Sequence, residues 1–588
     1  MIIKSIGFGA AGLLVLAALT YGLGTGSPIT PRWLIIYSGA ALGLVCFAWF
    51  LFRTRLITFT TSELLAAGFI SYLALTLAWS SDPRDGLLTL EAITVLWLLY
   101  VALQRLPRRV LAAAVYVGTT ISLAGAIILG FGHKPIFGGM GNENYQAELF
   151  LVLLPLVCAA WCAIKTPIWW IRPFALPVSL SAVWFLSFVN LSDSKWVAAS
   201  AIGAALMLWL IRRRHFYIAG FGFLLPLNAA LWSGWASSSP VIKAISHRLE
   251  IGFNTALLWA EKPLFGHGIG SFNYEYGRVQ EAHLQWFPSM DTVLHPASVF
   301  AGAAHNELLQ LGADTGLVGV LIALALIALM VHRFYHKKKD ALDIGAAISL
   351  LIVAALSQIS FPLQNPATVT VVMFAAAALM QGERSRLTIQ LPVLSSRVFC
   401  LALLLAGVGL VTSSAMNHQA ERLFSSTTAN IKVAHPAALQ ANLNAYKMYP
   451  FERRYRHQLM LTVGALLKHA WGDVTITNGA ADQAYKIALT ASAYMPAVML
   501  TRLEYLLNGE RWKTSENEID ELLGWLKQHA RLQPGVWLAD GSYAVRTGDA
   551  KRLLIAINTG MALPTNSHRP AFERLAKHLR LNRMETPS

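Results

Sequence analysis

A succession of apolar runs constrains this chain more than any other feature, because most are long enough to cross the ~30 Å hydrocarbon core of a bilayer at ~20 residues per helix. They fall at residues 6–23, 33–51, 62–79, 87–103, 110–130, 147–164, 174–192, 196–211, 217–232, 311–331, 344–359, 368–381 and 398–415. In lipid every backbone polar group must be satisfied within the protein, so such runs fold as helices. The expected fold class is all-α: a polytopic membrane protein of about 13 transmembrane helices. Composition agrees, with 55% hydrophobic and 13% charged residues among 588, far from soluble usage. The first run follows Lys4, and Thr20, Tyr21 and Gly22 make a poor cleavage site, so it reads as a retained anchor.

A formal net charge of +16 would suit nucleic acid, but the basic residues lie in short clusters between apolar runs, where they set topology. No nucleic-acid partner is expected. Lys4, Arg53, Arg55, Arg105, Arg108, Arg109, Lys165, Arg172, Arg212, Arg213, Arg214, Arg333, Lys337, Lys338, Lys339, Arg384, Arg386 and Arg397 occupy alternate connections, which the positive-inside rule makes cytoplasmic. The opposite short loops carry only Arg32, Arg84, Lys134 and Lys195. An odd number of spans then puts the N-terminus in the cytoplasm and everything after residue 415 in the periplasm, with the body in a bacterial inner membrane. Cys46, Cys158, Cys162 and Cys400 all sit inside apolar runs and read as small buried hydrophobes, with no disulfide or metal framework.

Two domains are expected: a membrane domain over 1–415 with a large external loop at 233–310, and a soluble domain over 416–588. The loop carries Lys243, His247, Arg248, Glu250, Lys262, His267, Arg278, His283 and His305, and its apolar patches at 251–260 and 286–287 read as short helices on the membrane surface. Polar segments of such length among short connections are usually functional. In the soluble domain, Pro450, Pro496 and Pro534 lie about 46 and 38 residues apart, room for two short helices each. That is the arithmetic of a helical-hairpin, tetratricopeptide-like array, whose surface would suit a protein partner.

The chemistry is expected at residues 300–317, FAGAAHNELLQLGADTGL, which set His305, Asn306, Glu307 and Gln310 at the lip of an apolar run. An imidazole there can take a proton at neutral pH, although a histidine at a helix mouth is often merely interfacial. Asn306 and Glu307 would orient it or simply begin the helix. Upstream, Asn142, Glu143, Asn144 and Gln146 offer groups for sugar hydroxyls, or a polar cap on the next helix. Gly266, Gly268 and Gly270 precede no dinucleotide-binding unit and read as turn residues.

Four strings in order carry a resemblance: GGMGNENYQAELFLVLLPL from residue 138, SDSK at 192–195, SHRLEIGFNTALLWAEKPLFGHGIGSF at 246–272 and AHNELLQLGADTGLVG at 304–319. Together they resemble the O-antigen ligase and polymerase superfamily of membrane glycosyltransferases, which includes protein O-oligosaccharyltransferases. The resemblance implies a donor glycan on undecaprenyl diphosphate, transferred with inversion at the periplasmic face. It places the donor-binding cations at Lys195 and Arg248 and the catalytic histidine at His305. Relatives more often carry arginine at the first of these places, and lysine is a point charge, not a bidentate fork. Snorkelling explains Lys195 equally well, and lipid headgroups would satisfy Arg248.

The physics runs parallel to that resemblance. Displacing a diphosphate from an anomeric carbon builds negative charge that a metal or cationic side chains must stabilise. No Asp-x-Asp pair stands on an external loop, since Asp193 has only serines beside it, so Lys195 and Arg248 are the candidates, with Arg278 and Lys262 in reserve. The expected enzyme is therefore a metal-independent glycosyltransferase without cofactor, inverting as the resemblance implies. Its acceptor would be lipid A core (ligase), another lipid-linked glycan (polymerase) or a protein hydroxyl. A transporter of lipid-linked sugars is the alternative of another class. It predicts charges at mid-membrane and paired broken helices.

Overall fold

A computed structural model describes residues 30–116, most of 148–160, 240–286, 303–358, 360–432, 437–469, 478–492, 495–531, 533–563 and 568–584. Expected spans at 6–23, 174–192, 196–211 and 217–232 and most of that at 110–130 lie outside the described residues, as do Asn142, Asn144 and Lys195. Five described helices are long and apolar enough to cross a membrane: Ile36–Thr54, Thr61–Trp79, Pro83–Gln104, Glu307–His336 and Val393–Ser425. Ala341–Leu356 and Pro366–Met380 are apolar but shorter. Each of the seven overlaps an apolar run read from the sequence.

The chain divides into two compact units, one of Met1–Phe272 with Ala303–Arg422, the other of Asn273–Gly302 with Leu423–Ser588. The first contains α1 (Thr30–Thr54), β1 (Leu56–Thr60), α2 (Thr61–Thr76), α3 (Pro83–Gln104), α4 (Pro240–Glu261), α6 (Glu307–His336), α7 (Ala341–Leu356), α8 (Pro366–Met380), β2 (Ser385–Gln390) and most of α9 (Val393–Lys432). The helix starts are written locally. Thr60 and Asp340 form capping boxes with Glu63 and Asp343, while Asp82, Asn306 and Asn365 cap α3, α6 and α8, two of them followed by proline. Each cap satisfies N–H groups that lipid cannot.

Strands β1 and β2 form an antiparallel ribbon, with Ile57 opposite Ile389. The sequence reading did not foresee it. Its signal, the β-branched and aromatic stretch Ile57, Thr58, Phe59, Thr60, is four residues beside much longer apolar runs. Ile57 is buried with Ala48, Leu51 and Cys400.

The ribbon marks the basic end of the unit. There Arg105 pairs with Glu63 and donates to the Thr58 carbonyl at 2.9 Å, and Ser62 bonds to Glu383. Arg108 bridges Asp340 and Asp343, Lys337 also reaches Asp343, and Arg108 donates to the Ala378 carbonyl at 2.9 Å. These bonds gather the α1–α2, α6–α7 and α8–β2 connections at one end, leaving the starts of α3, α6 and α8 at the other. Alternating charge along the sequence requires this arrangement of antiparallel spans. Between the two ends, α7 runs against the helical residues 148–160: a Cβ on Gly345 would collide with Ala159 and with the Pro155 carbonyl.

The second unit contains α5 (Phe272–Trp286) from Asn273 onward, the end of α9, then α10 (Ala437–Met448), α11 (Arg453–His469), α12 (Asn478–Ala488), α13 (Pro496–Leu507), α14 (Glu516–His529), α15 (Pro534–Thr547), α16 (Ala550–Ala562) and α17 (Arg569–Met584). Helix α11 packs on α12 and α13, α13 on α14 and α15, and α15 on α16 and α17. Pro450, Pro496 and Pro534 therefore fall just before or at the starts of α11, α13 and α15. Ala445, Ala484, Ala488 and Ala491 are fully buried at these contacts. Arg453 holds the carbonyls of Asn273 and Ala491, and Ser492 donates to Tyr274 O at 2.9 Å, so part of the expected external loop at 233–310 is bound into this unit.

His457 on α11 gives this unit a pH dependence. Burial first, and the neighbouring Arg453 charge second, push its imidazole from the ordinary 6.5 down to about 4. Above 6.5 the group is neutral folded or unfolded and has no effect. Between 6.5 and 4 the unfolded chain binds the proton and the folded chain does not, so stability falls as pH falls, by about 3 kcal/mol at the limit. Hydrogen–deuterium exchange of α11 is expected to accelerate from pH 7 to pH 5, and His457→Gln to flatten that dependence.

Candidate active site

His305 lies two residues before α6 with φ 53°, in the left-handed region. Histidine is among the residues that tolerate it, but at a cost, and such backbone persists only where surroundings enforce it. The enforcement is visible on both sides. Before it, the Ala304 N–H donates to Gln310 Oε1 at 2.9 Å, and Gln364 donates to the same oxygen at 3.1 Å. After it, the Glu307 N–H donates to the Ser357 carbonyl at 2.9 Å. The His305 ring meets Phe361 edge-on, with centroids 4.9 Å apart.

Asn306 accepts from the Leu309 N–H at 3.0 Å as helix cap, and its amide nitrogen lies 3.4 Å from Gln358 O and Oε1. Glu307 Oε1 accepts from the Leu363 N–H at 3.0 Å. Both supporting residues thus lock His305 and the mouth of α6 to the turn at 357–364, between α7 and α8. The sequence reading passed over that turn, although Pro362 and Pro366 mark a break between its two apolar runs.

A further carboxylate joins them. Glu148 stands at the start of the helical residues 148–160 and is 7% exposed. The Ser360 hydroxyl bonds to its carboxylate, the Arg248 charge acts on it, and it in turn acts on Glu307. Arg248 is carried by α4, which packs closely on α6: Gly252 faces Leu309, and a Cβ on Gly312 would come within 2.5 Å of the Trp259 ring. Glu148, Ser360, Phe361, His305 and Glu307 therefore gather around one turn, within electrostatic reach of Arg248. Glu148 was missed because a single acid opening the run AELFLVLLPL resembles any helix start.

Beside this cluster α6 is broken. Gly316 has φ 66° and ψ −170°, and the loop at 263–272 fills the gap. His267 N–H donates to Ala313 O at 2.9 Å, Gly268 N–H to Asp314 O at 2.7 Å, and Leu317 N–H to Pro263 O at 2.8 Å. Asp314 Oδ1 accepts from the Phe272 N–H at 2.8 Å. Gly266, Gly268 and Gly270 all have positive φ, the conformation their tight turns need. After the break, Leu317, Leu321, Leu324, Ile327 and Val331 form an exposed apolar stripe at helical spacing.

An imidazole, two carboxylates and a nearby guanidinium at the mouth of an apolar helix bundle suit group transfer involving a charged lipid-linked substrate. The comparison with known families agrees: residues 178–324 match the O-antigen ligase family model (Wzy_C), a stretch that holds Arg248, His305, Asn306 and Glu307. That stretch is thus similar to the O-antigen ligase domain, and the similarity suggests a lipid-linked glycan transferase. No curated protein matches the chain.

Proposed function

We propose that the first unit transfers an oligosaccharide or polysaccharide from undecaprenyl diphosphate to an acceptor hydroxyl at the periplasmic face of the inner membrane. The observation that supports this reading is His305, held in the left-handed region against Phe361 at the mouth of α6, in the matched stretch that also holds Arg248. Arg248, with Lys195 as second cation, faces the diphosphate as negative charge builds on the leaving oxygen. His305 takes the proton of the attacking hydroxyl. The acceptor oxygen bonds to the anomeric carbon from the side opposite the diphosphate, which departs with the electron pair, and configuration inverts. No step calls on a metal.

Topology supports the same face. The basic end of the unit belongs inside, so the mouth of α6 opens outside, and with thirteen spans the N-terminus is cytoplasmic and the helical domain after 415 periplasmic. Ligation to lipid A core is the leading reading of the acceptor. Polymerisation or transfer to a protein is the second, favoured by the stacked hairpins of α11 to α17, a tetratricopeptide-like surface suited to a protein partner.

The test is a purified chain supplied with a labelled undecaprenyl diphosphate oligosaccharide and lipid A core oligosaccharide. Arg248→Ala is expected to lower transfer at least about 30-fold, with Arg248→Lys between it and wild type, since removing a charged contact to a transition state costs about 2–4 kcal/mol. Transport of the intact donor across vesicles without bond cleavage would replace this reading with the transporter.

A further inference from the structure

Glu148 is a charge out of keeping with a diphosphate site. It is only 7% exposed, and it stands within electrostatic reach of a second acid, Glu307. Ser360 hydrogen-bonds the carboxylate, yet Oε2 has no hydrogen-bond partner among the described residues and no contact with solvent. A carboxylate oxygen withdrawn from water without a donor is unfavourable unless a ligand supplies one. That ligand is not the diphosphate, which a carboxylate repels. The substrate's other part is a chain of sugars, whose hydroxyls are neutral donors that match an acceptor-only oxygen.

We propose that Glu148 binds a sugar hydroxyl in this site, and so selects for the glycan and not for its carrier. The inference rests on the glycan-transfer reading above. The residue belongs to the specificity machinery: Arg248 faces the phosphates, His305 the attacking hydroxyl, and Glu148 a hydroxyl of the donor or acceptor sugar that keeps its proton throughout. Its position suits this division, since the same short turn presents Ser360 to Glu148 and Phe361 to His305. A site built around a substrate hydroxyl discriminates strongly against a ligand lacking it, because the buried acceptor is then left unpaired.

The experiment measures equilibrium binding to the full chain in lipid nanodiscs. Its three probes are undecaprenyl diphosphate, the same carrier bearing an oligosaccharide, and lipid A core oligosaccharide free in solution. Glu148→Ala is expected to weaken one of the two glycan probes about tenfold or more and leave the bare carrier unchanged. The isosteric Glu148→Gln, which keeps the fold and one acceptor oxygen, is expected to fall between. Whichever glycan probe moves identifies the source of the hydroxyl. Variants that bind both glycan probes like wild type, or lose the bare carrier in equal measure, would overturn the role of Glu148 while leaving the transferase reading intact. A wild-type chain that bound no carrier diphosphate would overturn the transferase reading itself, and the role of Glu148 with it.

Discussion

Gly316→Val is expected to leave almost no folded protein in the membrane. With φ 66° and ψ −170°, Gly316 occupies backbone space that is essentially closed to a β-branched residue. Space is closed as well, since a Cβ would run into the Leu264 carbonyl and the Phe265 nitrogen. Neither obstacle is a side chain that can swing away. The backbone conformation alone costs roughly 1–3 kcal/mol, and the collision must push the 263–268 loop from α6. That movement strips partners from Ala313 O, Asp314 O, and the N–H groups of Leu317 and Val318. Each buried group left unpaired costs roughly another 1–3 kcal/mol, so the sum reaches the 5–15 kcal/mol that holds a typical protein together. Yield of monodisperse protein after detergent extraction is the measurement. Gly524→Ala, on an exposed helix position with open space around it, is the control and should match or slightly exceed wild type. A Gly316→Val chain recovered at wild-type yield and melting temperature would mean that the break in α6 is not the keystone described.

That prediction also shows what the sequence disclosed and what it withheld. Apolar length was legible because the bilayer leaves one local solution, and the five long described helices each fall on a run read in advance. Basic clusters were legible for the same reason: Arg105, Arg108, Arg333 and Lys337 do meet at one end. In the last third Pro496 and Pro534 open α13 and α15, because a proline at N1 costs a helix nothing. Gly316 was not legible, since a glycine in an apolar helix is ordinary and only the partner loop, some 50 residues earlier in the chain, makes it indispensable. Glu148 and the 357–364 turn were hidden likewise, because their meaning lies in one another and not in their neighbours in sequence. The residues named for the site divide on the same line. His305, Asn306 and Glu307 lie beside one turn, and the signal for them was a run of polar types at an apolar boundary, while Arg248 was named from the motif that carries the resemblance. The roles given to all of them, and to Asn142, Asn144 and Lys195, are proposals.

The sharpest expected effect on chemistry is at His305, and its backbone dictates how the experiment must be made. Alanine at φ 53° adds about 1–2 kcal/mol of strain, so lost activity in His305→Ala mixes a missing imidazole with a displaced α6 mouth. Asparagine tolerates the left-handed region and lacks a basic nitrogen, which separates the two. His305→Asn is therefore expected to melt within a few degrees of wild type and bind the undecaprenyl diphosphate oligosaccharide with similar affinity. Its glycan transfer should drop about 10²- to 10⁴-fold, the range for removing a general base. His305→Ala should be no more active and less stable. Phe361→Ala, which removes the ring packed against the imidazole, leaves the base but frees its orientation, so a smaller loss in kcat with unchanged carrier binding is expected. If His305→Asn transferred glycan at the wild-type rate, the proton would have to leave by another group, and the carboxylates Glu307 and Glu148 stand next in line.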